Sequence, residues 1–245
     1  GTIFQDFFEQ NVSVDLDGST EFLANTTNNS LGIVNEWSIA VWVKSDAIGF
    51  KNILSLISSA NENNRIRIQN ASTSRFQLDV WDSAGVQRKG RTYDGQVSTG
   101  VWMHFLLTWD GTDITMFRDG SEVAPTSSSP DNALTMTDTT RRVIVGVFND
   151  LNQTKWDGPM HSIGIWDADV GAAASTIYNG GNGAGFNLGA NTGSYTFSGD
   201  LQHWWRLGFD SADIGKDSGI ASTLIDVDED SANITSDDIV VDAPT

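Results

Sequence analysis

Cysteine is missing from all 245 residues, which excludes a disulfide framework and any cysteine-ligated zinc site. Basic residues are scarce. Only 14 Lys and Arg stand against 32 Asp and Glu, a formal net charge of −18. Phosphate backbones and anionic lipid are repelled by such a surface, so neither nucleic acid nor a membrane is an expected partner. No apolar run approaches the roughly 20 residues of a bilayer span, and no secretory signal is legible at the start. Proline occurs 4 times, and there is no long Lys/Glu-rich helical pattern. Glutamate is thin, at positions 9, 21, 36, 62, 122 and 229. None of these has an acidic partner at the E-x-D-x-E spacing that would aim two carboxylates from one strand into a cleft as nucleophile and general acid. Gly-x-Ser-x-Gly and Gly-Lys-Ser/Thr loops are also missing, which removes support for a serine hydrolase or a nucleotide-binding protein.

What is present points to β-structure. Nine Trp and 24 Gly, with many Thr, Ser and Asn, favour sheets with frequent turns. The length suits one all-β sandwich domain. The most informative stretch is Trp102 to Thr112 followed by Ile114 to Gly120. Two apolar, aromatic runs each close on Asp-Gly, as expected of antiparallel strands joined by tight hairpins. Val12 to Gly18 alternates in the same way. Trp37 to Lys44 sets Trp37, Ile39, Val41 and Val43 on one face and Ser38, Ala40, Trp42 and Lys44 on the other. Further strands are expected at 52–58, 64–70, 75–82, 86–93 and 142–147, and 124–133 reads as a Ser/Pro/Asp loop.

These motifs resemble the laminin G-like and concanavalin A-like jelly rolls. Trp102 to Gly111 is similar to that family's W-x-H-φ-x-φ-T-[WY]-D-G strand, and Trp37 to Lys44 to its F-T-I-S-A-W-V-K strand. Trp156 to Trp166 is similar to the closing F-x-G-x-I-D-D-V-x-I-W strand, with His161 and Ser162 in place of the paired acids. The Ala-rich segment 168–179, stopped by Gly180 and Gly181, resembles the short helical crossing that follows. The resemblance covers about residues 12–181. It implies an all-β, two-sheet antiparallel jelly-roll sandwich that usually binds and only sometimes catalyses.

The pattern changes beyond about 182. Leu201 to Gly208 is a compact aromatic patch, and 210–245 is rich in Asp with almost no basic residue. A jelly-roll domain over 1–208 and an acidic extension over 209–245, lying on the sandwich or on a neighbouring subunit, is the expected organisation. Together with the laminin G-like part, His203 to Gly208 and Thr235 to Pro244 resemble a type of virion protein of tailed phages. That resemblance implies a non-enzymatic structural and adhesive protein on a virion surface, a capsid decoration or fibre component. Its partners would be the major capsid protein or copies of itself, with host or environmental glycans as possible ligands. A carbohydrate-binding module of a secreted bacterial protein is the alternative, with a glycoside hydrolase behind it; composition by itself supports an extracellular-facing, strongly acidic, disulfide-free surface module. The aromatic segment Ile3 to Phe8 and the tail could pair with a neighbour by strand addition or fold back over their own sandwich.

Sugar-binding sandwiches stack exposed aromatic rings on sugars and fix hydroxyls with Asp, Asn or Arg. Asp79, Trp81, Asp82, Arg91 and Tyr93, on two strands across the turn 83–85, are the candidates, with core packing of Trp81 and Tyr93 as the competing reading. Calcium is the usual ion implied by the resemblance. Asp15, Asp17, Asp110 and Asp157 are its candidate oxygen ligands, although no cofactor is required. His104, His161 and His203 show no metal-binding spacing and read as hydrogen-bonded structural residues.

Overall fold

Alternation in the strands separates two faces of each sheet, and the fold follows from where each face is buried. A computed structural model describes residues 11–58, 63–136, 140–148, 154–227 and 234–245. The strands are β1 (Ser13–Asp17), β2 (Leu23–Ala24), β3 (Asn29–Ser30), β4 (Trp37–Lys44), β5 (Lys51–Ile57), β6 (Ile66–Asn70), β7 (Phe76–Trp81), β8 (Gln87–Tyr93), β9 (Trp102–Trp109), β10 (Ile114–Arg118), β11 (Ser121–Val123), β12 (Ser127–Asp131), β13 (Thr140–Val145), β14 (Asp157–Trp166), β15 (Leu201–Arg206) and β16 (Ile239–Val240). They form two eight-stranded sheets. The first runs β11-β10-β9-β4-β14-β1-β16, with β15 also beside β14; the second runs β12-β8-β7-β6-β5-β13-β2, with β3 also beside β13. Every strand pairing is antiparallel. The protein is an all-β sandwich with one short helix, α1 (Ala174–Tyr178), among the described residues, consistent with a jelly roll.

Trp37, Ile39, Val41 and Val43 of β4 face inward with Met103, Phe105 and Leu107 of β9. Across the core they meet Leu54, Leu56, Ile66, Ile68, Leu78 and Val80 of the second sheet. The run 124–133, expected as a loop, contains β12, which pairs with β8 through a bulge between Ser128 and Asp131. Its Ser-rich composition hides a strand because an edge strand with both faces wet has no apolar alternation to show. Gly90 of β8 lies against this bulge, and a Cβ there would collide with the carbonyl of Ser129.

The outer face of the first sheet carries a second core. Ala40, Leu106, Trp166 and Trp204 are covered by Val170, Ala173, Ala174, Ile177, Phe186, Leu188 and Tyr195, from the helical crossing and the loop after it. Trp166 Nε1 donates to the Tyr195 hydroxyl at 3.0 Å, which donates to the Leu188 carbonyl at 2.7 Å.

The described parts of the tail lie on the chain's own sandwich. Ile214, Ile225 and Val227 join the main core, and Trp205 Nε1 donates to the Ile225 carbonyl at 2.6 Å. The Asp217 carboxylate, fully buried, meets His203 Nδ1 at 2.6 Å and accepts the amides of Trp204, Gly219 and Ile225. Farther on, β16 pairs with β1, and Asp242 takes Lys44 Nζ at 2.7 Å and Trp102 Nε1 at 3.0 Å. Residues 222–227 form no strand; Ile225 and Val227 are buried in the core, whereas Leu224 is exposed. The segment Ile3 to Phe8 lies outside the described residues.

Candidate functional site

Strand register assembles a row on the outer face of the second sheet that is apolar at Ala24 and Ile144 and polar at Ser55, Arg67 and Asp79. Ala24, Ile144, Ser55, Arg67, Asp79 and Gly90 are successive partners across β2, β13, β5, β6, β7 and β8. Beside this row run Asn52, Gln69, Gln77 and Thr92. The sequence Arg65-Ile66-Arg67-Ile68-Gln69 explains the chemistry: both isoleucines enter the core, so the two arginines and the glutamine must point outward.

The row is internally organised. Arg67 Nη2 donates to Asp79 Oδ2 at 2.6 Å; the Nε2 groups of Gln77 and Gln87 donate to Asp79 Oδ1 at 3.0 and 2.8 Å. Arg65 lies over the Trp81 ring at 4.2 Å from its centroid, and the Phe148 ring sits within 5.3 Å of Arg65 and 5.2 Å of Arg67. Two guanidinium planes are therefore held by aromatic faces, and a buried carboxylate fixes the amides around it. Such a surface presents flat stacking groups and fixed polar groups together, and the carboxylate at its centre, Asp79, is committed to three donors.

Of the five residues expected to meet a sugar, only Asp79 and Trp81 belong to this face. Arg91 and Tyr93 point into the sandwich. Arg91 lies in the inward ladder with Leu78, Ile68 and Leu54, and its guanidinium reaches Asp113 at 2.6 Å and Asp131 at 2.9 Å at the rim. Hydrogen bonds from Lys89 and Arg91 hold Asp131 down at about 2. Tyr93 packs edge-on against Phe76, and burial pushes its hydroxyl above the ordinary tyrosine range. Asp82 is spent on its own turn, where it accepts the Ala84 and Val86 amides at 2.9 Å and pairs with Arg88. Burial raises its carboxyl, but those amides and the guanidinium outweigh it and leave the group below its ordinary value. Arg65, Arg67, Gln77, Gln87 and Phe148 were not among the candidates. For the arginines, the alternation at 65–69 was the available signal.

The four calcium candidates do not form a cage. Asp15, Asp17 and Asp157 border one depression with Glu21, Asp46, Asp237 and Asp238, whereas Asp110 sits in the β9–β10 turn. Asp17 accepts three backbone amides and two hydroxyls of Ser19, Thr20 and Glu21, and Asp110 accepts the Thr112 and Asp113 amides. Burial raises Asp15, and the neighbouring Asp46, Asp157, Asp242 and Asp238 add to it. Among the described residues no three His, Cys, Asp or Glu side chains converge to hold a metal ion. The histidines divide. His203 has the expected hydrogen bond, to Asp217, but His104 is fully buried and neither of its ring nitrogens has a partner among the described residues.

Two facing antiparallel sheets with a polar outer face define the architecture shared by lectin-type and glucanase-type sandwiches. The sequence profile of the Laminin_G_3 family, described as the concanavalin A-like lectin/glucanases superfamily, matches residues 17–174, and the chain belongs to that family. No curated protein matches the sequence. Among solved structures, a heptameric SAP-like pentraxin from Limulus polyphemus is similar over 71% of this chain and 83% of its own, at 16% identity and TM-score 0.53. The CBM40 of the Ruminococcus gnavus IT-sialidase, bound to α2,3-sialyllactose, is similar over 68% and 96%, at 10% identity and TM-score 0.51. A protein from Bacteroides ovatus ATCC 8483, provisionally assigned as carbohydrate-binding, is similar over 96% of this chain and 61% of its own, at 12% identity and TM-score 0.60. At these identities the likeness is one of fold.

Proposed function

We propose that the chain is a non-enzymatic carbohydrate-binding protein whose glycan rests on the outer face of the second sheet. The observation that carries this reading is the stack of Arg65 between Trp81 and Phe148 beside the Arg67–Asp79–Gln77–Gln87 cluster. Rings supply apolar contact to the faces of a sugar, and guanidinium and amide groups already fixed by Asp79 bond hydroxyls with little ordering cost. Hydrolysis needs one carboxylic acid and one separate carboxylate across the scissile bond, and Asp79 is held by three donors. The sandwiches from Ruminococcus gnavus and Bacteroides ovatus support the same reading by their fold.

The setting we propose is the outside of a virion, as a capsid decoration or fibre component in contact with the major capsid protein or with copies of this chain. The resemblance of His203 to Gly208 and Thr235 to Pro244 to tailed-phage virion proteins supports it. A secreted bacterial carbohydrate-binding module is the alternative. Screening the full chain and its Trp81→Ala and Arg67→Ala variants on an array of neutral and acidic glycans tests the binding reading. Saturable binding weakened at least tenfold in both variants is expected; binding that neither variant alters, or none to any glycan, overturns the choice of face. Light scattering of the full chain tests the setting: discrete oligomers are expected of a shell or fibre component, and a strict monomer favours the secreted module.

A further inference from the structure

Beyond that face, the segment that covers the first sheet has a depression of its own, about 670 Å³ in volume, bordered by Ser175, Asn179, Phe186, Asn187, Asn191 and Thr192. It lies outside residues 17–174, the part matched by the family profile. Its chemistry sets it apart from the rest of the surface. In a chain with 32 acidic residues, no charged side chain among the described residues lines it.

Each of three asparagines is anchored at one end and open at the other. Asn187 Oδ1 accepts the Gly189 amide at 2.9 Å, and Asn191 Oδ1 accepts the Ser198 amide at 3.0 Å. Both therefore keep an Nδ2 donor without a partner among the described residues. Asn179 is the reverse: its Nδ2 donates to the Asn182 carbonyl at 2.9 Å, which leaves Oδ1 to accept. Its backbone sits in the left-handed region, φ 51°, as the C-cap of α1, so its position is fixed by the end of the helix. The Thr192 and Ser175 hydroxyls can both donate and accept. At the base, the Phe186 ring is held edge-on by Tyr195 at 5.6 Å.

We infer that this depression is a second saccharide site, selective for an uncharged oligosaccharide. Hydroxyl groups that both donate and accept match a set of two amide donors, one amide acceptor and two hydroxyls. An anion would find no cation here and would enter against the overall negative field, and a cation would find no carboxylate. Because the three carboxamides are locked by backbone contacts before any ligand arrives, little ordering entropy opposes binding. The volume falls within the 300–1,000 Å³ typical of small-molecule sites, about the size of a di- or trisaccharide.

The test titrates the full chain with maltotriose and with chitotriose, followed by amide chemical shifts. Four variants are compared: Asn187→Ala, Asn191→Asp, the double variant, and Trp81→Ala. The Asn191→Asp change keeps the Oδ1 anchor to the Ser198 amide while replacing the Nδ2 donor with a charged acceptor, so it alters recognition without removing the contact that holds the loop. Saturable shifts at residues 175–193 with at least one probe are expected, at least tenfold weaker in the asparagine variants and unchanged in Trp81→Ala. Binding lost in Trp81→Ala and untouched in the asparagine variants overturns this inference while sustaining the sheet-face reading. Binding lost in the asparagine variants alone sustains it even where the sheet face binds nothing, and the absence of saturable shifts with either trisaccharide overturns it.

Discussion

The two outer faces of the sandwich begin from the same strand alternation and end differently. On the first sheet the outward residues include Ala40, Trp42, Leu106, Gly164 and Trp166, too apolar to remain wet, and 170–195 folds down to bury them. On the second, the outward residues of β6 and β7 are Arg67, Gln69, Gln77, Asp79 and Trp81, of which Arg67 and Gln77 both donate to Asp79. A polar face cross-linked through one carboxylate can stay open to a ligand, whereas a face of Trp, Ala and Leu recruits its own chain as a cover.

That contrast can be broken from either side. The largest effect is expected on the covered face. Trp166→Ala removes a fully buried ring and strands the Tyr195 hydroxyl as an acceptor, and should cost about 3–5 kcal/mol in urea denaturation, while leaving glycan binding at the open face intact in whatever fraction stays folded.

Next comes His104, sealed beneath the same cover. Burial, aided by Arg118, lowers its folded value to about 3 from 6.5. Below pH 6.5 the unfolded chain takes up a proton that the folded chain refuses. Stability present in full above 6.5 therefore falls by about 1.4 kcal/mol per pH unit between 6.5 and 3, or about 2 kcal/mol by pH 5. Thermal melts at pH 5 and 7.5 should show that slope in the native chain and a shallower one in His104→Leu; equal slopes would count against a neutral buried imidazole.

On the open face the consequences are smaller. Arg67→Ala leaves Asp79 with its two glutamine donors, so the expected loss is about 1 kcal/mol, alongside the much larger loss of glycan binding. At the rim of that sheet, the exposed Arg75–Asp94 pair, 2.6 Å apart, should contribute nothing measurable, and Arg75→Ala should leave Tm unchanged.

Much of the fold was legible because its signals are local. Trp37 to Lys44 shows both faces of β4 in one strand, and the Asp-Gly turns mark the β9–β10 hairpin. The site was harder to read. Asp79 and Trp81 were visible as candidates, but Arg91 and Tyr93 on the next strand point the other way, because register across the 82–86 turn is set by a bulge between Val80 and Trp81. A buried arginine is also invisible in one dimension: Asp113 and Asp131, which satisfy Arg91, come from the β9–β10 turn and the end of β12, 22 and 40 residues away. The tail's Asp content would ordinarily read as disorder, but it was expected to lie on the sandwich or a neighbour, and its Asp217 is the buried acceptor on which several amides converge.

The pairing of β1 with β16 sets Ser13 opposite Val240, so the chain enters and leaves the sandwich at the same corner. Tension applied at residues 11 and 245 would open that short ladder one hydrogen bond at a time, like a zipper, instead of shearing a long sheet across many bonds at once. In a pulling experiment the first event should be a low-force release of β16 and the residues after it, halted where Ile225 and Val227 join the main core.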